Sequence, residues 1–155
     1  MKKDKIISIL LGFFVLIILI LTILFSTVSK PAKVIGQSME PTLHNGQIIT
    51  INKMHKSLQQ GDIVVFIKQN SASNKKVVKR VIALEGQTVE FKNGNVYVDG
   101  QIYDYVGKSQ IEPTYNKIVL IPEDHFFALG DNWSNSIDSR EYGPVNYKQL
   151  IGIMN

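Results

Sequence analysis

Lys79 lies in the run Val77-Val78-Lys79-Arg80-Val81-Ile82, 41 positions after Ser38 in Gly36-Gln37-Ser38-Met39-Glu40-Pro41-Thr42-Leu43. A serine hydroxyl is a weak nucleophile until a neighbouring base takes its proton, and an amine can do so only when unprotonated. Burial brings a lysine to that state by penalising its charged form. Residues 77–84 predict a strand in which Val77, Lys79, Val81 and Ala83 share one face and Val78, Arg80 and Ile82 the other. Each face then holds one cation among aliphatic side chains, and the lysine pKa should fall below its usual value of about 10.4. An edge strand whose lysine snorkels to water fits the same pattern.

Ser38 sits between Gly36 and Pro41, in a segment that predicts a turn. A serine there can present its hydroxyl outward while nearby amides point at the same spot, giving a nucleophile and an oxyanion hole together. A surface serine bonding to its own backbone is the plainer reading. A third polar constellation spans Gly130-Asp131-Asn132-Trp133-Ser134-Asn135-Ser136-Ile137-Asp138-Ser139-Arg140. Asp138 and Arg140 are placed to pair across this loop, and Ser136 to orient the lysine nitrogen as the third member of a triad does. Asp131, Asn135 and Asp138 are hard oxygen ligands, but the calcium-loop spacing and its closing glutamate are missing, so no metal is expected. His44, His55 and His125 are scattered without a framing carboxylate. The absence of cysteine excludes thiol nucleophiles, CxxC redox chemistry and Cys-ligated zinc.

Of 17 basic and 13 acidic residues in the 155, four and one fall in the first 30, leaving 13 and 12 for the rest. The net charge of +4 therefore belongs to the flanks of a greasy segment, and nucleic-acid binding is not expected. The uncharged run 6–29 is long enough to cross a bilayer core of roughly 30 Å as a helix, and longer than the apolar core of a cleaved leader. Three lysines precede it. The positive-inside rule then predicts a short cytoplasmic stretch 1–5, a single-pass anchor 6–29, and a domain 30–155 outside the plasma membrane.

After the anchor, Ser-Lys-Pro-Ala-Lys predicts a short connector. Strands are expected over 47–52, 62–68, 77–84, 88–91, 96–98, 101–103, 117–121 and 126–129, with an exposed loop at 69–76. Asn93-Gly94 and Asp99-Gly100 predict tight hairpin turns. Residues 105–116 read as irregular, 130–145 as a long loop too polar for the core, and 146–150 as one helical turn. The class is mainly β, a closed or nearly closed barrel of coiled sheet, because so many short strands must hide their edges.

Taken in order, the anchor, the Gly-Gln-Ser38-Met39-Glu-Pro41-Thr42-Leu43 run, Gly61-Asp62-Ile-Val-Val-Phe66, Val78-Lys79-Arg80-Val81-Ile82 and the 130–140 segment resemble the bacterial type I signal peptidases, of the Gram-positive type, over nearly the whole chain. The resemblance implies a signal-peptidase-like coiled β-sheet or barrel with Ser38 as acylating nucleophile and Lys79 as general base. It implies Ser136 as the hydroxyl that positions Lys79, Asp138 and Arg140 as structural support, the Ser38 amide as oxyanion donor, and no cofactor. Met39 is placed beside the nucleophile, near a membrane-facing rim. The substrate is implied to be an exported preprotein with small residues before the cut, lying as a strand against Val34, Gly36, Val77 and Val78. Shallow pockets would be lined by Val34, Leu43 and Val78, and the other partner is membrane lipid. Gly36 stands where some members carry a hydroxyl residue, and Trp133 where relatives are often basic. No large second domain fits between Asp99 and Phe126, and an incomplete last strand is expected at 151–155. Two further readings exist. One is a non-catalytic assembly factor or chaperone for surface proteins such as pilins, a type that usually loses the serine or the lysine. The other is a self-cleaving repressor with the same dyad, which the anchor disfavours.

Overall fold

The computed structural model describes residues 2–53, 57–70, 73–104, 112 and 114–154. Helix α1 (Lys2–Val28) opens the chain, and its stretch Lys3–Ile23 is long and apolar enough to cross a membrane. Ile6, Leu10, Phe14, Ile17 and Leu21 all point outward with about half or more of their surface bare. Protein covers none of the stretch Lys3–Ile23, and water is a poor solvent for it. Pro31 and its neighbours do not form a bare connector. Residues Ser29–Lys33 are strand β1, paired antiparallel with β2 (Ile48–Asn52), so the helix runs directly into the sheet.

The remaining strands are β3 (Ile63–Asn70), β4 (Ser73–Leu84), β5 (Thr88–Lys92), β6 (Asn95–Val98), β7 (Gln101–Ile102), β8 (Lys117–Leu120), β9 (His125–Leu129), β10 (Val145–Asn146) and β11 (Leu150–Met154). They form two sheets, one in the order β1-β2-β11-β3-β4-β9-β10 and a smaller one in the order β7-β6-β5-β8. The region expected as an exposed loop at 69–76 is instead mostly the far end of a long β3–β4 hairpin, whose register runs from Ile63↔Arg80 to Asn70↔Ser73. Its polar residues are strand residues on a hairpin that outruns the core. The expected irregular region 105–116 lies largely outside the described residues, as does His55.

Both short turns form as their residue types demand. Asn93 and Gly94 have φ of 51° and 74°, and Asp99 and Gly100 have 51° and 78°, the left-handed pairs that two-residue hairpins require. The last strand is not incomplete: β11 sits between β2 and β3 in the larger sheet. A bulge at Leu150/Gly152 brings the Gly152 backbone against its neighbour.

Cores form on both faces of the larger sheet. Met39, Leu43, Ile49, Ile51 and Val65 pack on one side, and Val64, Phe66, Val81, Phe126 and Ala128 on the other, with Phe66 and Phe126 edge to face at 5.6 Å. A third cluster of Ile82, Phe91, Phe127, Leu129 and Trp133 joins the two sheets. Val77 and Val81 share a face as the alternation predicts. Ala83 does not join them, because a bulge between Val81 and Ala83 in the β4–β9 pairing turns it to the Ile82 side.

A Cβ at Gly152 would strike the Asn52 carbonyl oxygen and the Ile51 side chain. Gly152→Ala is therefore expected to cost about 1–3 kcal/mol, as overpacking does. The urea midpoint of the detergent-solubilised chain reads this, and an unchanged midpoint would contradict it.

Candidate active site

Ser38 lies at the tip of a loop pinched shut at its base, where Val34 N donates to Gln47 O at 2.8 Å and Gly46 N donates to Val34 O at 2.9 Å. Gly36, at φ 92°, takes a backbone conformation that suits glycine, and its amide donates to Asn45 Oδ1 at 3.0 Å. The Glu40–Pro41 bond is cis. Met39 is 1% exposed and packs with Val34, Leu43 and Ile49. It does not sit on a rim; it is the core plug beneath the nucleophile, because an unbranched thioether fills the irregular space under the turn.

Lys79 comes from the middle of β4, directly across from Val64 of β3. It is 3% exposed, and its Nζ donates to Ser38 Oγ at 2.7 Å. Burial pulls its pKa from 10.5 down to about 8. The Asp138 charge opposes the shift, Arg140 assists it, and Asp131 and Lys68 add smaller effects of opposite sign. The snorkelling alternative is therefore not what the fold adopts. The lysine points inward at a hydroxyl.

The 130–140 segment, part of a stretch expected to be too polar for the core, contributes five buried residues: Gly130, Asp131, Trp133, Asp138 and Ser139. Its polar groups are internal because they bond to one another. Asp138 caps the short helix α2 (Ser139–Tyr142). Its Oδ1 accepts from Arg140 Nε at 2.8 Å, and its Oδ2 accepts from Arg140 Nη2 at 2.8 Å and from Gly130 N at 3.1 Å. Arg140 Nη2 also donates to the carbonyls of Trp133 at 2.7 Å and Ser136 at 3.1 Å. The guanidinium thus closes the loop on itself. Trp133 fills the cluster that joins the sheets, where a charged side chain would be stranded.

Ser136 is close to the dyad but not bonded to it. A Cβ on Gly130 would collide with both Ser136 Oγ and the Ser38 carbonyl, so only glycine lets these segments meet. Ser136 Oγ is buried without a hydrogen-bond partner. Such an atom is costly to leave idle, which marks it as a hydroxyl waiting for a partner at the site.

One element escaped the sequence reading. Arg80 and Asp131 form a two-pronged ion pair, Nε–Oδ1 2.8 Å and Nη2–Oδ2 2.6 Å, with Arg80 Nη1 donating to Gly61 O at 2.9 Å. The alternation on β4 placed Arg80 opposite Lys79 but named no partner. The carboxylate next to Gly130 was the available signal.

Val34, Leu43 and Val78 gather in one apolar cluster beside Met39, whereas Val77 faces the Phe66 cluster on the other side of the sheet. The strand β4 pairs with β3 along 73–80 but with β9 only from Arg80 to Leu84. Its 73–79 portion thus carries one edge with no partner strand among the described residues. A hollow of about 420 Å³ lined by Phe91, Lys92 and Ile118 lies in the small sheet, away from the dyad. Lys79 lies on this open-edged portion of β4.

The family model for signal peptidase, peptidase S26, matches residues 6–155. The chain belongs to the bacterial type I signal peptidases of the Gram-positive type. Signal peptidase I P of Bacillus subtilis subsp. natto is 34% identical over 153 residues, covering 90% of this chain and 80% of the relative. Signal peptidase IB of Staphylococcus aureus is 34% identical over 176 residues, covering 98% of this chain and 88% of the relative. The crystal structure of a signal peptidase I from Enterococcus faecalis superposes with a TM-score of 0.55 at 28% identity, over 64% of this chain and 98% of that one. The protein is accordingly a membrane-anchored peptidase, with coiled β-sheets following an apolar N-terminal helix.

Asp138 and Arg140 are mutually dependent buried charges, so Asp138→Ala should cost roughly 3–5 kcal/mol by stranding the guanidinium. Glu90→Ala, which removes a surface contact to Lys92 at 3.9 Å, should cost under about 1 kcal/mol. Equal urea midpoints for the two variants would contradict this ranking.

Proposed function

We propose that this chain removes signal peptides from exported preproteins with a Ser38/Lys79 dyad and no cofactor. The observation that carries the reading is the 2.7 Å contact between Ser38 Oγ and a lysine amine almost sealed from water. In the neutral state the amine lone pair accepts the Ser38 proton while Oγ bonds to the scissile carbonyl carbon. The C–N bond then breaks, and the lysine ammonium passes its proton to the departing amine of the mature chain. A water attacks the acyl-serine, Lys79 takes its proton, and the ester bond breaks as that proton returns to Ser38 Oγ. Ser136, whose hydroxyl has no partner at rest, holds the amine in register as Ser38 leaves it, and the Asp138–Arg140 pair supports the loop that carries Ser136. The Ser38 amide serves as an oxyanion donor.

Backbone directions support a course for the substrate strand. Both backbone groups of Val34 are spent on Gly46 and Gln47, and those of Val81 on Gly61 and Asp62. Because these groups alternate sides along a strand, Ile35 and Val78 aim theirs the other way, at open edges. A preprotein segment pairs there and sets small side chains against the cluster of Val34, Leu43 and Val78, with Gly36 and Val77 contributing backbone. Lys2, Lys3 and Lys5 at the start of α1 hold the N-terminus, 1–5, in the cytoplasm. The anchor, 6–29, crosses the plasma membrane once through its lipid, and the domain 30–155 works on the outer face.

Cleavage of a preprotein by the detergent-solubilised full-length chain tests the reading. The wild type should cut after a small residue, and Ser38→Ala and Lys79→Ala should each lose at least about a hundredfold in rate while folding normally. A wild type that binds a surface protein but cuts no preprotein would favour the assembly-factor reading.

Two pH dependences follow. The rate should climb with pH along a limb centred near 8 and level off above it, as Lys79 sheds its proton. A limb at 10 or higher would remove Lys79 from the role. The folded pKa lies below the unfolded value, so below pH 8 the buried ammonium costs the full penalty, about 3 kcal/mol at 1.36 per unit. That penalty fades as pH rises from 8 towards 10.5. Lys79→Met should therefore raise the urea midpoint most below pH 8, and a variant less stable than wild type at pH 6 would contradict the account.

A further inference from the structure

We infer that Asn132 is a positioning residue that aims the oxyanion-stabilising amide of Ser38, an inference that rests on the Ser38/Lys79 reading above. Asn132 grips the nucleophile residue from both sides. Its backbone N donates to Ser38 O at 3.0 Å, which fixes the peptide after Ser38. Its side-chain Nδ2 donates to Gln37 O at 3.2 Å, which fixes the peptide before it.

The second contact has a directional consequence. The Gln37–Ser38 bond is trans, so the Gln37 carbonyl and the Ser38 N–H belong to one rigid plane and point opposite ways. Holding the carbonyl therefore holds the amide. Gln37 O also accepts from Glu40 N at 3.1 Å, so two donors pull it to the same side, and the Ser38 N–H is turned to the other. Asn132 is itself oriented: its Oδ1 accepts from Ser134 Oγ at 3.2 Å, leaving Nδ2 as the group that faces Gln37. The neighbouring Asn135 adds a longer contact, Nδ2 to Gln37 Oε1 at 3.4 Å.

Rigid placement matters here because an oxyanion donor stabilises the tetrahedral intermediate only if it is aimed before the charge appears. Gly36 supplies no side-chain hydroxyl to share that task, so the Ser38 amide bears more of it. The conformational freedom that Gly36 brings to the same loop, at φ 92°, is what an outside clamp must take away. Asn132 comes from the 130–140 segment, which the Arg80–Asp131 and Asp138–Arg140 pairs hold in place. The clamp is thus anchored in a segment separate from the nucleophile loop.

The test compares the full-length, detergent-solubilised wild type with Asn132→Ala, Asn132→Asp and Ser38→Ala. Asn132→Ala keeps the backbone contact to Ser38 and loses the side-chain one, while Asn132→Asp turns a carboxylate onto the Gln37 carbonyl. The expected result is a fall in kcat of about tenfold for alanine and about a hundredfold for aspartate, the scale of a lost oxyanion donor. KM should stay within twofold and the rising pH limb within about half a unit of wild type. A peptide aldehyde, which forms a tetrahedral adduct on Ser38, should weaken in parallel with kcat, while an uncleavable peptide of the same sequence keeps its affinity. If both Asn132 variants keep kcat within threefold, or if KM, the pH limb and aldehyde affinity all shift together with the urea midpoint, Asn132 is structural and the proposal falls alone. If Ser38→Ala cuts as fast as wild type, the dyad reading falls and takes the proposal with it.

Discussion

A lysine amine with almost no access to water is what the rest of this structure must accommodate. Burial is the largest of the effects that together bring the Lys79 pKa from 10.5 to about 8, a cost of roughly 3 kcal/mol whenever the group is charged. Against a total stability of about 5–15 kcal/mol for a domain, this is a large concession. The two carboxylates nearest in effect, Asp138 and Asp131, pull the other way. Each is bound to an arginine at hydrogen-bond distance. Arg140 offsets much of the field of Asp138 at Lys79, so desolvation prevails and the amine is left poised near neutral pH.

The same ion pairs explain how a polar segment can be buried at all. Residues 130–140 carry their own partners inward: Asp138 spends its oxygens on Arg140 and Gly130, and Arg140 spends its nitrogens on Asp138 and two carbonyls. Gly130 then lets the segment approach Ser38 and Ser136 closely enough to complete the site. The nucleophile loop is built on the opposite plan, with Met39 in the core below and Ser38 above it. A rigid polar brace and an apolar plug thus meet at one hydroxyl, and the open edge of β4 runs past it.

The structure was legible in the sequence where it depended on local pattern. Lys79 among valines implied burial, Asn93-Gly94 and Asp99-Gly100 implied hairpins, and the charge-free run implied the helix. What was not legible depended on contacts far apart in the chain. Arg80 read as the second cation of an amphipathic puzzle because its partner, Asp131, lies 51 residues on. The 130–145 stretch read as a loop because polarity predicts exposure unless the internal bonding is known. Ser29–Lys33 read as a connector because Pro31 argues against a strand, yet β2 pairs with it as an edge, where a missing N–H is tolerated. Residues 151–155 left the last strand in doubt from sequence, and only the topology shows β11 between β2 and β3.

The protonation state of Lys79 tests the account most directly. Selective ¹³C or ¹⁵N labelling of lysine, with the Lys79 resonance assigned from a Lys79→Met variant, would follow its titration in the intact detergent-solubilised chain. The account predicts a midpoint near 8, well separated from the surface lysines. A midpoint near 10.5 would mean that the amine is solvated and charged at working pH, and the dyad would lose its base.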